Sequence, residues 1–143
     1  MMNENTFNLK QFVVITLITS IWIHISEIIR YFMVVMPSVK TFFYNKEDVA
    51  LIDWSIFTIW TFWDILLTVI LVFIFWLYSR SFGYTTKSAI VSGTVVWCAV
   101  FVIFWVATAN MGLAKWQTVF IVLPLCWIEM IVGALIAYKL YKK

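Results

Sequence analysis

Four runs of twenty or more mostly apolar residues, parted by short polar breaks, dominate this chain of 143 residues. A hydrocarbon layer about 30 Å thick is crossed by ~20 residues of α-helix, and a lone apolar run there must pair its backbone groups internally. The runs lie near 11–36, 54–78, 88–109 and 117–138. The expected fold is therefore all-α, a four-helix bundle integral to a membrane and forming one domain over 1–143. Composition agrees, with 64% hydrophobic and 12% charged residues, against roughly 45–50% and about 25% in an ordinary soluble domain.

The breaks are chemically distinct. Met36-Pro37 is expected to close the first helix, because proline lacks the N–H and crowds the residue before it. Tyr78-Ser79-Arg80-Ser81-Phe82-Gly83 reads as a turn, Asn110-Met111-Gly112 as a helix end with its glycine stop, and the fourth run meets Lys139, Lys142 and Lys143. Residues 37–53 are then the one sizeable loop, with Thr41-Phe42-Phe43-Tyr44 touching headgroups. The first run is expected to stay in the mature protein. It is longer than a signal peptide's core and is interrupted by His24, Glu27 and Arg30.

Basic flanks are retained on the cytoplasmic side of a membrane. Lys10, Arg80, Lys87, Lys139, Lys142 and Lys143 share one face of an even-numbered bundle. The other face has Lys40, Lys46 and Lys115 beside Glu47, Asp48 and Asp53. Both termini are expected in the cytoplasm, with the chain in the plasma (inner) membrane. Trp54, Trp76, Trp116 and Tyr138 stand near the run ends, where interfacial aromatics collect.

Inside these runs sit five ionisable side chains: His24, Glu27 and Arg30 in the first, Asp64 in the second and Glu129 in the fourth. Each costs ~2.5–3.5 kcal/mol at a bilayer centre, so such groups face the bundle interior and pair or protonate. At 100° per residue His24, Glu27 and Tyr31 share a sector of the first helix, with Arg30 adjacent to Glu27. Asp53, Phe57, Trp60, Asp64 and Thr68 form a stripe on the second, and Thr118, Cys126, Glu129 and Gly133 another on the fourth. Gly133 and Ala137 allow close helix approach there. The acids are expected to meet in one polar site, with Glu27–Arg30 as its ion pair and His24 and Asp64 as its titrating members. Trp60 and Tyr31 would add an aromatic wall for a lipophilic or cationic ligand.

Several chemistries fall away. A single histidine rules out a di-iron centre with two Glu-x-x-His motifs and a bis-histidine haem within one chain. No metal and no cofactor is expected. Cys98 and Cys126 belong to no Cys-x-x-Cys motif and read as packing residues. A net charge of +3, scattered singly, gives no nucleic-acid face.

The function expected from these features is proton- or cation-linked transport or permeation through the buried acidic site. Four spans enclose little on their own, which implies a homo-oligomer among membrane lipids. The ligand would be a proton, a small cation or a lipophilic molecule. Two alternatives stand beside it: an intramembrane enzyme or binding protein acting on a lipophilic substrate, and an accessory subunit of a membrane complex. Enzymatic activity is left open by the sequence.

Overall fold

The computed structural model describes residues 7–44, 46, 47, 49 and 52–142. Among them the regular structure is entirely helical, in four long apolar helices, each long enough to cross a membrane: α1 Leu9–Phe42, α2 Trp54–Phe82, α3 Thr86–Asn110 and α4 Trp116–Tyr141. Three start on a side-chain cap that satisfies an otherwise orphaned N–H. Asn8 accepts from Gln11 N at 3.1 Å, Asp53 from Ile56 N at 2.8 Å and Thr85 from Ser88 N at 3.1 Å. Gly83 (φ 83°) follows α2 and Gly112 (φ 71°) follows α3, conformations that cost glycine least.

Pro37 does not end the first helix, contrary to the expectation from Met36-Pro37. Tyr31–Val35 is π-helical, and the Met36 N–H reaches back five residues to the Tyr31 carbonyl. Pro37 then occupies the first turn of a renewed α-helical stretch, Met36–Phe42, where its missing N–H is not called on. The expected loop over 37–53 shrinks accordingly. Thr41 and Phe42 are helical, and Phe43 and Tyr44 turn the chain, Tyr44 in the left-handed region at φ 57°. Residues 45, 48, 50 and 51 of that loop lie outside the described residues. A second π-helical stretch, Trp97–Val102, interrupts α3.

The helices pack in ring order, each against its neighbours in sequence and α1 against α4, while α2 also touches α4 across the middle. The core runs through Ile15, Ile23, Leu71, Val72, Phe75, Val96, Val122, Cys126, Met130 and Ala134. Two glycines of different kinds set the spacing. A Cβ at Gly133 would lie 2.9 Å from Leu71 Cδ2 and 3.1 Å from Ile23 Cδ1, so this position admits side chains of α1 and α2. At Gly93 a Cβ would stand 2.8 Å from the Met130 carbonyl oxygen, so here α3 and α4 meet backbone to backbone. The expected close approach at Gly133 and Ala137 is present, with Ala137 fully buried. Gly93 was not singled out from the sequence, although Ala89, fully buried in the structure, stands four residues before it in the same small-residue spacing as Gly133 and Ala137.

Candidate functional site

The seven residues singled out from the sequence come together between α1, α2 and α4, five of them in the core and His24 and Tyr31 half-buried. Four lie along one side of α1: His24, Glu27, Arg30 and Tyr31. α2 contributes Trp60 and Asp64, and α4 contributes Glu129. Glu27, Arg30, Asp64, Glu129 and Trp60 are buried, Asp64 and Glu129 to within 1% exposure.

One half of the cluster is built around Arg30. Its guanidinium bonds the Glu27 carboxylate through Nη2, and its Nε lies 3.5 Å from Glu129 Oε2. The same Glu129 oxygen accepts from Ser26 Oγ at 3.0 Å, and Trp22 Nε1 donates to the Glu129 carbonyl at 3.1 Å. The Phe101 ring of α3 covers the guanidinium at 5.5 Å, a cation–π contact that adds the fourth helix to the site. Arg30 is immediately followed by the π-helical turn of α1, and Phe101 sits within that of α3, so both irregular turns flank this ion cluster. Such turns recur at functional sites because they re-aim side chains within an otherwise regular helix.

The other half joins α1 to α2. His24 Nδ1 lies 2.8 Å from the Ser20 carbonyl, which can only accept, so Nδ1 carries a proton and donates it there. That leaves His24 Nε2 directed at Asp64 Oδ2, 3.9 Å away. Tyr31 and Trp60 pack edge to face with centroids 4.8 Å apart, and Phe57 continues the aromatic row at 6.4 Å from Trp60. The exposed Trp63 borders Asp64 from outside.

Hydrogen bonding in this cluster is incomplete. Asp64 Oδ1, Glu129 Oε1, Arg30 Nε, His24 Nε2 and Trp60 Nε1 are buried without a hydrogen-bond partner. Buried polar atoms in folded proteins are almost always satisfied, and an orphan costs about 1–3 kcal/mol. The formal charges do not balance either. Glu27, Asp64 and Glu129 face one guanidinium, leaving two negative charges uncompensated when all are ionised. An uncompensated buried charge costs several kcal/mol, so uptake of protons or of a cation offsets a large penalty.

Toward the end of the bundle that holds both chain termini, an apolar layer lies against the cluster, with Ile23 and Leu71 fully buried around Gly133. Beyond it stand Thr16 and Thr19, whose hydroxyls are buried and unpartnered. Thr58, Thr61, Thr68, Thr94 and Thr108 instead each donate to the carbonyl four residues back. Among the described residues no group of three or more His, Cys, Asp or Glu is arranged to hold a metal ion. The two cysteines are free; Cys126 packs in the core as expected, whereas Cys98 is exposed on α3.

Ser26 and Phe101 were not singled out from the sequence, and Trp22 and Trp63 stood out only among the tryptophans that fall well inside the runs. Serines and aromatics are ordinary in apolar helices, and their roles here depend on which helices become neighbours. No family model, curated protein or solved structure matches this chain.

Proposed function

We propose that this chain is a small integral membrane protein that carries protons or a cation through its buried acidic site. In this reading both termini lie in the cytoplasm and the chain resides in the plasma (inner) membrane, as the distribution of Lys and Arg favours. The observation that carries the proposal is the meeting of carboxyls from three helices around one guanidinium, with Asp64 Oδ1 and Glu129 Oε1 unpartnered. A network serving only to fix helix register gains most when every member is satisfied. Orphan acceptors and a charge deficit suit a site that takes up positive charge and releases it.

α4 packs against all three other helices, which fills the middle of a single copy with side chains. A solute path is therefore assigned to a homo-oligomer. The test is flux in reconstituted vesicles. An imposed pH gradient drives ion movement in the native protein, and Asp64→Asn and Glu27→Gln each abolish it. Equal flux in both variants and the native protein overturns the proposal.

A second reading, an intramembrane enzyme or binding protein for a lipophilic substrate, draws on one observation. The His24 side chain keeps 21% of its area exposed, and its α1 neighbours Ile21 and Ile25 are exposed and apolar. Access from the side, through lipid, fits such a substrate. Turnover or retention of a lipid-like molecule without transmembrane flux selects this reading over transport.

A further inference from the structure

The seam between α1 and α2 presents hydrogen-bond acceptors with no donor to meet them. Because the Ser20 carbonyl holds the Nδ1 proton, the His24 ring in its neutral form turns a lone pair toward Asp64 at Nε2. Asp64 Oδ1, in a residue only 1% exposed, is a second orphan acceptor and brings negative charge with it. Around these two stand the Tyr31 and Trp60 rings, whose faces attract cations. The exposed rim consists of Ile21 and Ile25 on α1 and Trp63 on α2, an apolar border on both sides.

These features together define a ligand. It has positive charge for Asp64, at least one N–H for His24 Nε2, and a hydrocarbon body suited to the apolar rim. Resting on the transport reading above, we propose that the cargo is a lipophilic protonated amine, a cation with at least one N–H, that reaches Asp64 sideways between α1 and α2. An alcohol would leave the Asp64 charge uncompensated. A quaternary ammonium would satisfy the charge and the rings but would offer His24 no proton. A bare metal ion would meet too few ligands here, since no three-residue metal group exists among the described residues.

The probe is radiolabelled dodecylamine, bound to the full chain in phosphatidylcholine nanodiscs, with empty nanodiscs subtracted for partitioning. Binding is expected to saturate, and unlabelled dodecylamine to compete at least about tenfold better than dodecyltrimethylammonium, the discrimination of a charge-assisted hydrogen bond. Asp64→Asn weakens binding by about tenfold or more while Asp64→Glu retains it, and His24→Phe brings the two competitors to parity. Equal competition by the two amphiphiles in the native protein overturns the assignment without any variant having to fold. Unchanged binding in Asp64→Asn overturns it as well. Proton flux without saturable dodecylamine binding removes the ammonium proposal and leaves transport standing. Saturable binding in vesicles that pass neither proton nor amine keeps the ligand site and removes transport.

Discussion

Two seams of the same bundle handle buried acids in opposite ways. Between α1 and α4, Glu27 and Glu129 share the Arg30 guanidinium, Ser26 bonds Glu129 and Phe101 caps the cation. Between α1 and α2, Asp64 has a histidine at 3.9 Å and one oxygen with no partner. Both seams use a carboxylate and a nitrogen base on a shared helix. What separates them is the permanent cation: the first seam ties two carboxyls to a buried guanidinium, though Glu129 Oε1 and Arg30 Nε lack hydrogen bonds even there, and the second has no fixed positive charge beside its acid. A buried acid is thus informative about function through the counter-charge it lacks more than through its presence.

The sharpest way to break this contrast is to remove the cation at the centre of the first seam. Arg30→Met leaves Glu27 and Glu129 facing each other without a cation and is expected to cost about 3–5 kcal/mol, seen in thermal unfolding of the purified protein. Adding Glu27→Gln and Glu129→Gln recovers most of the loss, which a purely steric role for Arg30 would not allow. Gly93→Ala, away from both seams, drives a methyl group into the Met130 backbone and is expected to cost about 1–3 kcal/mol in the same measurement. Ser26→Ala deletes the 3.0 Å bond to Glu129 and is expected to lose about 0.5–1.5 kcal/mol. The smallest change in stability comes from the second seam. Asp64→Asn is expected to fall within about 1 kcal/mol of the native protein, or to stabilise it, while eliminating flux. A large destabilisation there would erase the distinction between the seams.

Much of this arrangement was legible in the sequence because it follows from short-range periodicity. The three-residue step from Glu27 to Arg30 fixes their pairing, and the four-residue step from Trp60 to Asp64 puts both on one face of α2. Among the helix bounds, Asn110-Met111-Gly112 marked the end of α3, whereas Tyr78-Ser79-Arg80-Ser81-Phe82, expected as a turn, is helical through Phe82, because none of these residues breaks a helix before Gly83. Pro37 misled because a proline's effect depends on the hydrogen-bond register in front of it, and nothing in Tyr31-Phe32-Met33-Val34-Val35 announces a π turn. The split into two seams was equally hidden. Whether Glu129 meets Arg30 or His24 is decided by how α4 is rotated against α1, and Trp22, Ser26 and Gly93 set that only once the helices have met.

The contact at Gly93 also bears on motion. Two helices touching main chain to main chain cannot slide by a fraction of a turn without dislodging the peptide groups themselves, so α3 and α4 behave as a stator. In the proposed transport, α1 is tied to that stator through the Arg30, Ser26 and Trp22 contacts with Glu129, which leaves α2, the helix that carries Asp64, as the wall that moves.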